Sequence, residues 1–159
     1  MFLIENGCLK RDGFSVKLPN GFYLRTEPDT FADHEIHFVF KDELYITFTI
    51  DPYEGNIEED LREDINNGTN TIVHDITGIR LNGMNGNYAV FKGSHYQFFI
   101  MNIEPKSDNK TKKVKVIGEV LVKSGIDIID LLKEKEFKEF IESITMDYTE
   151  MECDRKCLF

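Results

Sequence analysis

The side chains best suited to metal binding or catalysis in this chain are its four histidines and three cysteines. His34 and His37, with Asp33 and Glu35, form the densest group of potential metal ligands. A metal site needs ligands that converge on one point, and histidines three residues apart converge on a helix but lie on opposite faces of a strand. The polar start of a strand explains this group without a metal. We therefore predict no metal site and no cofactor.

The cysteines form neither a disulfide framework nor a redox motif. Cys153 and Cys157 are separated by three residues, whereas the redox motif is Cys-x-x-Cys, and no second ligand pair lies nearby. Cys157 is third from the end of the chain, and a prenylation signal needs its cysteine fourth from the end. Cys8 has no evident activating partner. We expect a reduced protein with a flexible tail at 147–159.

The sequence also lacks the signatures of nucleophilic and nucleotide-dependent catalysis. No serine lies in a Gly-x-Ser-x-Gly elbow, and no phosphate-binding glycine pattern occurs. His74 with Asp75, or His95, could contribute to an acid–base pair, although such histidines are as typical of ordinary strands. We therefore predict that the protein is not an enzyme. The less favoured enzyme hypothesis requires two of the histidines (His34, His37, His74, His95) to converge with a carboxylate in one cleft.

The charge balance indicates which partners are excluded. The chain has 159 residues and a formal net charge of −10, which argues against nucleic acid and anionic membranes because both attract basic surfaces. An acidic surface suits a basic protein partner, and it also favours solubility by itself. No segment has the apolar length of a signal peptide or a membrane span. Provided that Met1 is the natural start, we expect a cytoplasmic protein.

Alternation of apolar and polar residues predicts the strands that would position these side chains. The predicted strands lie at 14–18, 36–40, 44–50, 70–81, 87–93, 95–103 and 113–123. Apolar residues occupy both faces of the last of these, which is typical of a central strand buried on both sides. Chain reversals are expected at Asn82-Gly83, Asn85-Gly86 and Gly93-Ser94, because Asn and Gly accept positive φ at low cost.

Two segments have the pattern of helices. Asn56 can cap a helix in which Ile57, Leu61 and Ile65 form an apolar stripe. A second helical region extends over about 126–144. The order of elements predicts an α+β fold, a mostly antiparallel sheet with helices packed on it. We expect one domain at 1–146, followed by the tail.

Aromatic residues are concentrated on two neighbouring predicted strands, and four of them are candidate binding residues. These four are Tyr88, Phe91, Tyr96 and Phe99. With a suitable register, Phe91 and Phe99 would share a face with Ala89 and Met101. A sheet with aromatics on both faces must be covered on both. Our first expectation is that the N-terminal segment covers the second face, and the alternative is a groove for a partner.

Three segments resemble the PsbP-like family. They are the opening Gly13-Phe14-Ser15-Val16-Lys17-Leu18-Pro19 with Asn20-Gly21-Phe22, the mid-domain stretch 81–89, and the closing stretch 140–144, where Ile144 replaces the usual aromatic. The resemblance covers roughly residues 13–146. It implies an α/β/α sandwich and action by protein binding, because this family includes the Ran-binding import factor Mog, assembly factors and chaperones. It implies no catalytic residues.

These observations favour a non-catalytic protein-binding domain, either an adaptor, a chaperone or an inhibitor of a basic partner. The alternative is a small-molecule or lipid-binding domain with a pocket between sheet and helix. Homodimerisation through an edge strand or through the aromatic face is compatible with either function.

Overall fold

The computed structural model describes residues 3–5, 7–11, 14–25, 35–52, 56–104 and 112–146. The strands are β1 (Leu3–Glu5), β2 (Cys8–Arg11), β3 (Phe14–Lys17), β4 (Phe22–Arg25), β5 (Glu35–Phe40), β6 (Leu44–Pro52), β7 (Thr71–Leu81), β8 (Met84–Lys92), β9 (Tyr96–Ile103), β10 (Lys112–Leu121) and β11 (Thr145–Met146). The helices are α1 (Ile57–Asn66), α2 (Ile128–Leu132) and α3 (Lys135–Glu142). None of the described helices is long and apolar enough to cross a membrane.

Seven strands form a large antiparallel sheet in the order β4-β5-β6-β10-β9-β8-β7. β10 is the fourth of the seven strands, which confirms the prediction that it is central. Its valines Val114, Val116 and Val120 are fully buried on one face. On the other face Leu121 is 36% exposed. Ile117 of that face packs against the smaller cluster, so the prediction that this strand is buried on both sides holds for the inner face and only in part for the second face.

Different elements cover the two faces of the large sheet. The inner face carries Phe38 and Phe48 and packs against α2, α3 and the N-terminal strands in the main core. Phe140 of α3 lies at the centre of this core, with its ring centroid 4.2 Å from that of Phe22, 5.5 Å from Phe38 and 5.4 Å from Phe48. The outer face carries α1, which packs on a separate, smaller apolar cluster.

A small second sheet has the order β1-β2-β3-β11 and joins the two ends of the described chain. The hydroxyls of Ser15 and Thr145 lie 2.5 Å apart, and the backbone N–H of Lys17 donates to the Ser143 hydroxyl at 2.8 Å. Of these strands only β3 was predicted. The N-terminal segment is thus committed to the inner core, and the expectation that it covers the second aromatic face is wrong.

The predicted C-terminal helix is two helices, α2 and α3. The backbone N–H of Lys133 donates to the Ile129 carbonyl and ends α2, and Glu134 then takes an extended conformation (φ −61°, ψ 139°). The break reorients the chain, so that apolar residues of both short helices face the same core. These residues are Ile128, Leu131, Phe137, Phe140 and Ile141.

Only one of the two Asn-Gly dipeptides reverses the chain. Asn82 (φ 49°) and Gly83 (φ 80°) form the two-residue turn between β7 and β8, as predicted. Asn85-Gly86 lies within β8, so the reversal predicted there is wrong. A Cβ atom on Gly86 would lie 2.7 Å from the Asn102 carbonyl oxygen. Glycine is needed at this position for a close approach between strands.

Replacing Phe140 with alanine removes the ring on which three phenylalanines of the sheet converge. We expect the free energy of unfolding to fall by about 3–5 kcal/mol, as for other buried phenylalanines truncated in a core. Urea denaturation followed by circular dichroism would measure the change. Tyr23→Ala is the control, because that ring is 62% exposed and its loss should cost no more than about 0.5 kcal/mol. Similar losses in both variants would contradict this core.

Candidate interaction surface

One residue from each strand of the large sheet forms a continuous row across the outer face. Each residue lies directly opposite the next in the antiparallel registers, so all seven side chains project from the same face. The members of this outer row are Tyr23, Val39, Tyr45, Glu119, Phe98, Phe91 and Ile72. Six of the seven are apolar or aromatic, and Glu119 is the single charged member.

Much of the outer row is open to solvent. Tyr23 is 62% exposed, Tyr45 is 42% exposed and Ile72 is 50% exposed. Tyr96 and Leu121, which form the next cross-strand pair between β9 and β10, are also exposed. Phe91 is buried, because it packs in the cluster beneath α1. The exposed aromatics are therefore contiguous rather than scattered, which is the arrangement that marks an interaction site.

The position of α1 leaves this surface uncovered. Asn56 caps the helix by accepting a hydrogen bond from the backbone N–H of Glu58 at 2.8 Å. The predicted stripe Ile57, Leu61 and Ile65 is buried, as expected. The helix packs mainly on β7, β8 and β9, and Tyr23 of β4 and Tyr45 of β6 remain exposed.

Two ion pairs attach α1 to the central strand. The Lys113 ammonium lies 2.5 Å from the Asp60 carboxylate, and the Lys115 ammonium lies 2.7 Å from Asp64. The Lys113 side chain is only 8% exposed. At the other end of the helix, the Asn70 amide donates to the Ile65 carbonyl at 2.8 Å. These contacts hold α1 in a fixed position against the outer face, next to the exposed part of the outer row.

A groove of about 880 Å³, called the outer groove below, lies between α1, the β8–β9 loop and the sheet. Phe91, Phe98 and Ile100 line it from the sheet, with the rings of Phe91 and Phe98 stacked at 5.1 Å. Tyr96 lies 6.0 Å from Phe98 between ring centroids. Glu119 also lines the groove. Asp64, whose carboxylate is paired with Lys115, lines it as well. The groove thus combines an aromatic surface with two carboxylates.

Glu119 is half-buried, and no ion pair or hydrogen bond to its carboxylate is found among the described residues. Burial raises the pKa of Glu119, because desolvation penalises the charged form. Three neighbouring acidic residues are paired instead: Asp60 and Asp64 of α1 with lysines, and Glu35 of β5 with His37 at 3.1 Å. An uncompensated carboxylate at the centre of an aromatic row is the most distinctive electrostatic feature of the surface.

The four predicted binding residues divide between the two faces. Phe91 and Tyr96 line the outer groove, whereas Tyr88 and Phe99 lie on the inner face, 5.9 Å apart between ring centroids. The register that would place Phe91 and Phe99 on one face is not the observed one, because Phe91 is paired with Phe98, and Phe99 is paired with Val90. A shift of one residue moves a side chain to the opposite face.

Sequence reasoning missed Glu119 and Tyr45 as members of this surface. The alternation of β6 did place Tyr45 opposite the core, but nothing local indicated that Glu119 would lie between Tyr45 and Phe98. That neighbourhood depends on pairings between strands far apart in the chain. The registers of the β10–β6 and β10–β9 strand pairs would have identified both residues.

The described histidines do not converge. His37 contacts Glu35 and the Thr47 hydroxyl, and His95 lines the outer groove. His74 stacks on Tyr88 at 5.1 Å. His34, Asp33, Cys153 and Cys157 lie outside the described residues. Within the described ranges, no group of three histidine, cysteine or acidic side chains is placed to hold a metal ion.

A second groove, of about 650 Å³ and called the inner groove below, lies on the inner face between α3 and the β7–β8 hairpin. Tyr88, Phe99 and Phe137 give it an aromatic lining, and Arg80 and Lys138 also contribute to its walls. This is the pocket between sheet and helix that a ligand-binding function would require.

Two solved structures share this architecture. The cyanobacterial PsbP (CyanoP) from Synechocystis sp. PCC 6803 aligns over 92% of this chain and 92% of its own, with a TM-score of 0.56 and 10% identity. LpqN, involved in cell envelope biogenesis of Mycobacterium tuberculosis, aligns over 84% of this chain and 82% of its own, with a TM-score of 0.60 and 10% identity. No family profile and no curated protein sequence matches the chain.

These similarities define the class of fold. The chain is an α+β protein with a mostly antiparallel sheet and helices on both faces, as predicted. The fold is PsbP-like, which confirms the resemblance seen in the sequence. At 10% identity the likeness concerns the fold alone.

Replacing Lys113 with alanine should loosen α1. We expect the free energy of unfolding to fall by about 1–2 kcal/mol, less than for a fully buried pair because Asp60 retains contact with water. Arg62→Ala is the control: it breaks the exposed Arg62–Glu58 pair of the same helix and should cost at most about 0.5 kcal/mol. Chemical denaturation would measure both. Equal costs would show that the Lys113 pair does not anchor the helix.

Glu119 should make the protein less stable as the pH rises. The folded state holds this proton more tightly than the unfolded chain, so stability declines above the ordinary glutamate pKa of 4.5, through the raised pKa of the folded state. Glu119→Gln removes this dependence, and its stability relative to the wild type should increase between pH 4.5 and 7. Thermal unfolding across this range would measure the difference.

The control for this pH experiment is Asp130→Asn, which removes an exposed carboxylate of α2 on the other side of the sheet. It should not reproduce the gain in stability. A Glu119→Gln variant that loses stability relative to the wild type as the pH rises would contradict the desolvation of this carboxylate.

Proposed function

We propose that this chain is a non-catalytic protein-binding domain that uses the outer face of its large sheet to bind a basic protein. The observation that carries this function is the continuous outer row, with its exposed tyrosines Tyr23 and Tyr45. Tyrosine and phenylalanine are enriched at protein interfaces because they bury large areas at low conformational cost.

The dimensions of the face suit an interface. Seven strands spaced about 4.8 Å apart give a row about 29 Å long. A standard interface buries about 800 Å² on each partner, which a surface of this length can provide. The net charge of −10 favours a basic partner, both by attraction and by excluding acidic competitors.

The edge strand β7 is a less suitable docking site than the outer face. β7 has register shifts between Ile72 and His74 and between His74 and Thr77. Near these bulges, Asp75 accepts a hydrogen bond from the Ile76 backbone N–H, and the Thr77 hydroxyl donates to the Asp75 carbonyl. Bulges of this kind disfavour pairing with another strand. We therefore expect a partner to dock on the outer face and not along β7.

The alternative function, binding of a small molecule or lipid, has its own support in the inner groove. Its volume of about 650 Å³ lies within the range of ligand sites, and an aromatic lining with a few polar groups is typical of them. Native mass spectrometry of the freshly purified protein would distinguish this function. A bound small molecule that is lost on replacing Phe99 with serine would favour the inner groove over the outer face.

Site-specific photo-crosslinking tests the protein-binding function directly. A photoreactive phenylalanine at position 45 should capture a discrete basic protein in the source cell, and the same probe at Val73 of β7, which is 52% exposed, is the control. The captured protein is then purified and titrated against the wild type and a Tyr45→Ser, Tyr96→Ser variant. We expect at least tenfold weaker binding by the variant, as for aromatic hot spots.

The function is overturned if position 45 yields no partner above the Val73 control, or if the purified partner binds the double variant as tightly as the wild type. Capture of a second copy of this chain would replace the basic partner with self-association, which light scattering would confirm as a dimer.

A further inference from the structure

We propose that Glu119, with the rings of Tyr96 and Phe98 beside it, accepts a lysine or arginine side chain of the partner. This assignment rests on the protein-binding function proposed above and names the group that the outer face recognises. Glu119 lies in the centre of the outer row, directly opposite Tyr45 of β6 on one side and Phe98 of β9 on the other. It also lines the outer groove, together with Tyr96 and Phe98.

The surroundings of the Glu119 carboxylate favour binding of a cation from another molecule. The carboxylate is half-buried, so that it has lost hydration, and no described residue compensates its charge. Lys92 and His95 line the same groove, but neither forms an ion pair with Glu119 among the described residues. Lys115, the nearest lysine of the same strand on this face, is held by Asp64 at 2.7 Å. A carboxylate that is partly desolvated and unpaired gains most from an incoming cation.

The aromatic rings add to the attraction. Cations bind over the faces of aromatic rings, and the interaction strengthens when the site is partly desolvated. The outer row already contains one such contact, because the Arg25 guanidinium lies 5.2 Å from the centre of the Tyr45 ring. That contact occupies Tyr45 on the β4 side. On the groove side, the rings of Tyr96 and Phe98 can contact an incoming cation, and the Glu119 carboxylate can supply the opposite charge.

The geometry favours an extended basic segment over a single free cation. The groove continues from Glu119 along the aromatic surface to the end of α1, where Asn70 and Thr71 contribute polar side chains. A lysine or arginine places its charge at Glu119 while its aliphatic stem lies along the rings, as long basic side chains commonly do on apolar surfaces. The adjoining residues of the segment then lie over Phe91 and Ile100.

The site can be tested without the natural partner, with an octalysine peptide as the probe. Amide resonances of the wild type are followed by NMR during titration at physiological salt, and the same titration is repeated with Glu119→Gln and Asp130→Asn. Both variants lose one negative charge, so general attraction falls equally. We expect at least tenfold weaker binding for Glu119→Gln, less than a twofold change for Asp130→Asn, and wild-type shifts centred on Glu119, Tyr96 and Phe98.

Equal weakening in both variants, or shifts spread over the whole acidic surface, would overturn the cation site. An octaglutamate peptide that produces the same shifts as octalysine would overturn it as well. The substitution to glutamine preserves size and removes an unfavourable buried charge, so a folded variant is expected, and its amide spectrum verifies this directly.

The natural partner, once captured, separates this site from the wider function. If crosslinking at position 45 succeeds and the purified partner binds Glu119→Gln as tightly as the wild type, the docking face stands and the cation site is rejected. If no partner docks on the outer face of the wild type, the protein-binding function itself is rejected, whatever the peptide titration shows.

Discussion

The antiparallel pairing of β10 with β6 and β9 is the constraint on which the rest of the structure depends. Side chains alternate between the two faces of a strand, so this register fixes which residues of the central strands meet on each face. Val116 is thereby placed in the inner core between Phe48 and Met101, and Glu119 is placed on the outer face between Tyr45 and Phe98. The core and the candidate site are two consequences of one set of backbone hydrogen bonds.

The two faces are stabilised by different physical means, and this difference leaves one of them available. On the inner face, phenylalanines from α3 and the sheet pack closely around Phe140, and the small sheet completes the cover. On the outer face, α1 is held by a few apolar contacts and by the ion pairs of Lys113 and Lys115. The ten-residue helix packs mainly on β7–β9, and the tyrosines of β4 and β6 on this face remain exposed.

A PsbP-like fold positions this surface but does not determine its function. Folds of this kind act as scaffolds, and function depends on the residues presented on them. Here the distinctive residues are an aromatic row and Glu119, whose carboxylate is paired with none of the described residues. The burial that raises the pKa of Glu119 is also the basis of its proposed role. Burial removes water from the carboxylate, and an incoming cation would replace that water. The acidic net charge of the chain acts in the same direction over a longer range.

The sequence by itself determined the elements and the fold class. Local periodicity identified β5, β6 and β10, and the spacing of Ile57, Leu61 and Ile65 identified the buried side of α1, because these patterns depend only on neighbouring residues. The tertiary structure determined which face of the large sheet each side chain lies on. Phe91 and Phe99 are on opposite sides because Phe91 pairs with Phe98 in the β8–β9 register, one residue away from the register that would place both rings on one face. Glu119 became a candidate site only through pairings with β6 and β9. Register depends on turn length and on contacts between distant strands, and a period of two residues along one strand carries no information about either.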